Sequence, residues 1–321
     1  MGLWQVGPDV LARSRFAVSP LAETVGALAV LGGRKEAGDG MAAWAREHRP
    51  VFRARFGGDP FAAAFVEAAF RPRWIADFLS RPPLEGPPSF EREIDRVRRT
   101  PGEAALADLA TALGAPPPTP LAVPDVAERA AALLIWVWTR TVEPDWPRRR
   151  RVFEADIAAR THRLGSHGWA AVIGELRVET SWLGDGRLRI NAQDRPTREI
   201  GDADLLFVPT TSRRGWVSWD LPDRYALVYS CTGLLAGPDG AAVPGPLGRL
   251  LGPTRAGVLV RLDTPKSTSQ LVALTGCGLG TVGGHLRVLL DAGLLVRHRS
   301  GRSVLYSRTP DGDRLVRAAG E

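Results

Sequence analysis

The sequence predicts an α+β chain: a mostly helical N-terminal region with a small antiparallel sheet, followed by a compact basic module at the C-terminus. Three observations carry this. Apolar residues recur at helical spacing through residues 19–174, the spacing turns to alternation over 176–231, and the surplus positive charge collects after residue 245. The chain has 321 residues, 44% hydrophobic and 24% charged, which is enough apolar matter for about two domains and excludes wholesale disorder. Of 42 Lys+Arg and 35 Asp+Glu, 11 and 5 lie in residues 245–321, so nearly all of the net charge of +7 belongs to that last quarter. Such an asymmetry is the electrostatic footprint of a nucleic-acid-binding module. Arginine richness alone carries no weight, because only Lys35 and Lys266 are lysines and G+C-rich codon usage produces the same bias.

Two cysteines, Cys231 and Cys277, stand far apart, which argues against a disulfide scaffold or a cysteine metal cage. The N-terminus lacks the basic start and apolar run of a signal peptide. The longest apolar stretch, AAALLIWVW (130–138), falls far short of the roughly 20 residues that span a bilayer. These features lead us to expect a soluble, cytoplasmic protein with no membrane partner.

Ser19-Pro20 opens a helix through Leu31, with Ser19 as N-cap and Pro20 at the first helical position. Segments 41–56 and 59–79 read as helices with Trp44, Phe52, Phe61, Phe65 and Trp74 on their apolar faces. Proline-rich stretches at 81–89 and 115–124 bracket a further helix over 90–113. A helix over 125–141 follows, then a long helical pattern from Pro147 with a break at Gly168. In RVETSWLGDGRLRIN, Gly184-Asp185-Gly186 joins two strand-like runs into a hairpin. DLLFVP, GWVSWDL and YALVYSC add three short strands, and GPDGAAVPGP (237–246) is the best linker. The expected domains are therefore 1–240 and 245–321.

In the C-terminal part, LGRLLGPTRAGVLVRLD (247–263) reads as two helices around a Gly-Pro break. Ser267-x-x-Gln270 is a capping box that starts the helix TSQLVALT, with Gly276 as its stop. A CGLG turn leads to TVGGHLRVLLDA, in which Val282, Leu286 and Leu289 make one apolar stripe, with His285 beside it in a packing role, and Gly293 ends the helix. LLVRHRSGRSVLYSR alternates around Ser300-Gly301 as a two-stranded wing, and a last helix follows. Helix, turn, helix and basic hairpin make up the winged helix-turn-helix plan.

Gly278-x-Gly280-x-x-Gly283 also matches the dinucleotide fingerprint, but that motif needs a buried strand before it and an acid about 20 residues on. A helix capping box precedes it here and VRHRSGR follows, so the nucleotide reading fails. In a recognition helix the face opposite the stripe enters the major groove. Gly284 would let the backbone approach DNA, with Gly280 flanking it on that DNA-facing side. Thr281, Arg287 and Val288 would discriminate bases, with Arg287 able to contact guanine bidentately. Thr268 at the head of the first helix, and Arg297, Arg299 and Arg302 on the wing, complete the expected DNA contacts, the arginines to phosphate or minor groove.

RLLGPTRAGVLVRLD and STSQLVALTGCGLGTVGGHLRVLLDAGLLVRHRSGRSVLYSRTPDG resemble the winged helix of the ArsR-type (arsenic-repressor-like) transcriptional regulators over residues 249–312. The resemblance implies a dimeric regulator, usually a repressor, on a double-stranded DNA operator. Relatives usually carry serine or another polar residue where Gly283 and Gly284 stand. The paired cysteines of metal-sensing members are missing from SQLVAL, so no metal is implied. RFAVSPLAETVGAL, WIADFLSRPPL and PDWPRRRRVFEADIAARTHRLGSHG are similar to an N-terminal region attached to such winged helices, which adds architecture and no site.

By its own residues the N-terminal region offers no catalytic constellation. Ser212 lacks a nucleophile-elbow context, the five histidines have no metal spacing, and Glu154 and Asp156 lie where arginines 148–151 can pair with them. All ten tryptophans precede residue 220. Trp136, Trp138, Trp216 and Trp219 are the candidate lining of a cavity for a small organic effector. The reading is a non-enzymatic DNA-binding repressor without cofactor or metal, acting as a homodimer. The alternative is an enzyme or protein-interaction module that the winged helix only targets or docks.

Overall fold

The computed structural model describes residues 2–35, 37, 41–72, 74–177, 179–193, 195–231, 243–263, 265–275, 277–300 and 303–319. Most of the expected linker 237–246, the helix stop at Gly276, the wing turn at Gly301 and Arg302 lie outside them, as does the Gln270 side chain of the capping box. The chain is α+β and forms two compact units, residues 1–147 with 167–232, and residues 148–166 with 233–321.

The first unit opens with β1 (Gly2–Gln5), α1 (Pro8–Arg13) and β2 (Arg15–Phe16). There follow α2 (Pro20–Leu31), α3 (Ala42–Phe56), α4 (Pro60–Ala69), β3 (Phe70–Arg71), β4 (Trp74–Ile75), α5 (Phe90–Arg98), α6 (Gly102–Leu113) and α7 (Val126–Val137). After α8 (Trp146–Gly174), whose residues 148–166 belong to the second unit and whose helical geometry breaks at Gly168 (φ 73°, ψ 174°), come β5 (Ser181–Trp182), β6 (Arg187–Asn191), β7 (Arg198–Glu199), β8 (Asp204–Thr210), β9 (Trp216–Asp220) and β10 (Arg224–Ser230).

α2 is the centre of this unit. Ser19 Oγ accepts from Ala22 N at 2.9 Å, Pro20 follows at the first position, and all twelve residues of the helix are buried. A helix apolar on every side suits a position surrounded by core. Its one acid, Glu23, is satisfied by Thr210 Oγ1 (3.0 Å), Thr211 N (2.9 Å) and Thr211 Oγ1, which all donate to it from the end of β8.

The sheets depart from expectation. The N-terminal region holds two four-stranded sheets, ordered β5-β6-β1-β7 and β2-β8-β10-β9, and both are mixed rather than antiparallel. β10 lies between β8 and β9, parallel to the first and antiparallel to the second, and β2 adds in parallel to β8. The cause is the chain's first sixteen residues: β1 and β2 insert into different sheets against partners nearly two hundred residues away. Trp4 of β1 is fully buried and meets Tyr225 edge-on at 5.2 Å. The hairpin of β5 and β6 forms as expected, with Gly184, Asp185 and Gly186 all at positive φ.

Two helices are shorter than expected. The segment 59–79 is helical only to Ala69, after which β3 and β4 form a small ribbon and Asp77–Leu79 a single 3-10 turn. The segment 90–113 is two helices, because Pro101 lacks the N–H that would continue α5 and restricts Thr100 before it. The helix expected over 125–141 is regular to Val137 and closes with a π turn over Trp138–Val142.

The second unit includes α9 (Gly245–Leu251), α10 (Pro253–Val260), β11 (Lys266–Ser267), α11 (Thr268–Thr275), α12 (Leu279–Asp291), β12 (Leu295–Ser300), β13 (Ser303–Arg308) and α13 (Pro310–Ala318). β11, β13 and β12 make an antiparallel sheet in that order, leaving β12 at an edge. Val258, Leu259, Leu262, Leu271, Val282, Leu286, Leu289 and Leu295 form one core. Thr309 ties α13 to the end of α12: its hydroxyl donates to Gly293 O at 2.8 Å and accepts from Gly312 N at 3.1 Å.

Candidate nucleic-acid interface

α12 begins after Gly278, whose extended backbone (φ −64°, ψ 154°) turns the chain into the helix. Val282, Leu286 and Leu289, at i, i+4 and i+7, are the residues it buries, each no more than 1% exposed. The residues outside the stripe are of a different kind. Gly280, Thr281, Gly284, Arg287 and Val288 are all exposed, so the structure brings these five predicted contacts onto one solvent-facing side of one helix. His285 is half-buried, in keeping with its place beside the stripe.

The described residues give the glycines of this helix no internal reason. A Cβ built on Gly280, Gly283 or Gly284 meets nothing within 4 Å. Each glycine within a helix costs up to about 1 kcal/mol relative to alanine. α12 bears that cost although no packing contact among the described residues requires it.

Arg297 and Arg299 are both exposed on the edge strand β12 and, two residues apart, project to the same side of it. Thr268 is half-buried as the first residue of α11. Two other basic residues of this unit are engaged. Arg308 Nε pairs with Asp313 at 2.8 Å. Lys266, buried, donates to Asp263 at 2.6 Å, and burial outweighs that partner to lower its pKa. Cys277 anchors the turn, its N–H donating to Thr275 Oγ1 at 3.3 Å. Sequence reasoning passed over Leu279, 63% exposed at the start of α12 beside Gly280 and Thr281. Its only signal was a position one residue ahead of the helical glycines.

The four candidate effector tryptophans do not share a cavity. Trp136 and Trp138, two residues apart near the end of α7, point in different directions: Trp136 packs edge-on against Phe56 at 5.0 Å, whereas Trp138 stacks on Phe90 at 4.6 Å. Trp216 and Trp219, three apart on β9, fall on opposite faces of the sheet. Trp216 lies under Lys35, and Trp219 meets Trp74 and Arg198. A cavity of about 260 Å³ does exist in this unit, lined by Leu31, Phe52, Phe56 and Val66 among others, with Arg34 and Glu67 bridged at 3.0 Å beside it. Trp136 stands against two of its walls, Phe52 and Phe56.

No family model matches the chain, and no curated protein or solved structure matches it. Ser212 is buried and donates to Arg214 O at 3.1 Å, a structural use of its hydroxyl. Among the described residues no cluster of three or more His, Cys, Asp or Glu side chains could hold a metal, and no helix is long and apolar enough to cross a membrane.

Proposed function

We propose that the chain is an ArsR-type DNA-binding repressor whose C-terminal unit is a winged helix-turn-helix, with α12 as recognition helix and β12–β13 as wing. One observation carries the reading: α12 buries every bulky residue of its stripe and presents a side of glycine, threonine, valine and arginine whose glycines no neighbour among the described residues requires. A major-groove partner explains that pattern, since small residues let the helix backbone approach base edges and phosphates closely. Arg287 supplies the bidentate contact to guanine, Thr281 and Val288 the remaining discrimination, and Leu279 an apolar contact for a thymine methyl. Arg297 and Arg299, with Arg302, grip the phosphate backbone, and Thr268 adds a contact from the head of α11.

In this reading the protein acts as a homodimer on a two-fold operator, and the first unit regulates rather than catalyses. The cavity walled by Phe52, Phe56 and Val66 is the space a small organic effector would take, in place of the tryptophan-lined site that sequence suggested.

The test is fluorescence anisotropy with a duplex from upstream of the protein's own gene, against a scrambled duplex, across a salt series. Selective binding that weakens steeply with salt is expected. Replacing Arg297 and Arg299 by alanine should flatten the salt dependence by roughly 0.9 in log–log slope for each phosphate left without its arginine. Binding that is absent at low salt, or indifferent to salt and to both arginines, would overturn the proposal.

A further inference from the structure

The first unit contains a cluster of cationic and N–H donors that the DNA reading does not use. Lys35, four residues beyond the end of α2, directs its ammonium over the Trp216 ring, 4.2 Å from the centroid, and donates to Arg214 O at 3.2 Å. Gly215 fixes where that carbonyl and the indole sit, since a Cβ there would fall 1.9 Å from Val228 O, and no side chain can stand at the entry to β9. Two further donors have no hydrogen-bond partner among the described residues, one on the ring under the ammonium and one on an arginine whose charge reaches it. Trp216 is 7% exposed, and its Nε1–H is buried without a hydrogen-bond partner. Arg177 Nη1 is likewise buried and unpartnered.

The charges around this cluster are mostly of one sign. Arg177 and Arg214 both act on Lys35 by repulsion, and the exposed Glu179 is the acid that acts on Arg177. Buried N–H groups without acceptors cost free energy, and like charges held together out of water cost more. Among the described residues the cluster lacks a buried acceptor bearing negative charge.

We propose that Lys35, Arg177 and the indole N–H of Trp216 form a binding site for a small oxyanion of the carboxylate or phosphate class. Its oxygens would accept from Arg177 Nη1 and Trp216 Nε1 and pair with the Lys35 ammonium. Desolvation, with Arg177 and Arg214, pushes the Lys35 pKa down to about 7, so the free site is largely neutral at Lys35 above that pH. An anion reverses the balance, and binding at pH 8 should take up a proton.

The experiment is isothermal titration of the full chain with inorganic phosphate and, separately, acetate. Chloride holds the ionic strength, and two buffers of different ionisation enthalpy report proton uptake. Saturable binding of at least one anion is expected, with proton uptake at pH 8. Phosphate alone, acetate alone or both identifies the class. Lys35→Gln and Arg177→Gln, each checked for folding by circular dichroism, should weaken binding at least tenfold, and Trp216→Phe several-fold. Lys35→Arg should keep binding but lose the proton uptake, because arginine stays charged. No saturable binding of either anion, or equal affinity in wild type and the glutamine variants, would overturn the site. The measurement contains no DNA, so its failure leaves the operator-binding reading where it stands.

Discussion

Glu93 and Asp77 are acids of the first unit whose surroundings favour the neutral form, and burial pushes both up to about 7. For Glu93 burial outweighs the two donors that favour its charge, Ser19 Oγ at 2.7 Å and Leu21 N at 2.9 Å, while at Asp77 the neighbouring Asp108 adds to burial. Both folded-state values lie above the ordinary carboxylate range, so the stability they confer is complete below that range and is lost as pH rises to about 7. Urea midpoints of the wild type should therefore fall between pH 5 and 8. Glu93→Gln, neutral throughout, should show a shallower fall, and an unchanged slope would remove Glu93 from the account. Neither acid was legible as special. In FEREIDRVR, Glu93 reads as one of several charges on an amphipathic helix, and only the packing of α5 beside α2 brings it to Ser19.

At the scale of the element, α12 combines a buried stripe that stabilises it with glycines that weaken it. Leu286→Ala should destabilise the second unit by about 2–5 kcal/mol, read from chemical denaturation, because it empties a fully buried position. Gly284→Ala should do the opposite, raising stability by up to about 1 kcal/mol, since its Cβ meets nothing and the helix gains propensity. On the operator duplex the same substitution should weaken binding if the backbone approaches DNA there. Tighter, equally selective binding would show that the glycine is a tolerated weakness rather than a contact. Local chemistry made several such elements readable. Ser19-Pro20 marked the start of α2, Gly184-Asp185-Gly186 the β5–β6 hairpin, and Gly168 the break in α8. It misjudged 59–79 and 90–113, where apolar spacing continues across a ribbon and a proline break that periodicity does not register.

At the scale of the whole molecule, the charge surplus of residues 245–321 and the exposed arginines of β12 should make DNA binding strongly dependent on salt. A homodimer is expected in solution by light scattering, with operator half-sites about one helical turn of DNA, or a multiple of it, apart. A strict monomer, free and on DNA, would defeat the symmetric reading. The sequence by itself determined the α+β class, the helical spans that carry capping residues, the β5–β6 hairpin and the buried stripe of α12, because each depends on neighbours a few residues apart. Tertiary structure alone decided the mixed sheets, the separation of the four tryptophans and the gathering of Lys35, Arg177 and Trp216. Those features depend on pairings between residues as far apart as β1 and β6, and short strands and single side chains leave no periodic trace of partners so distant.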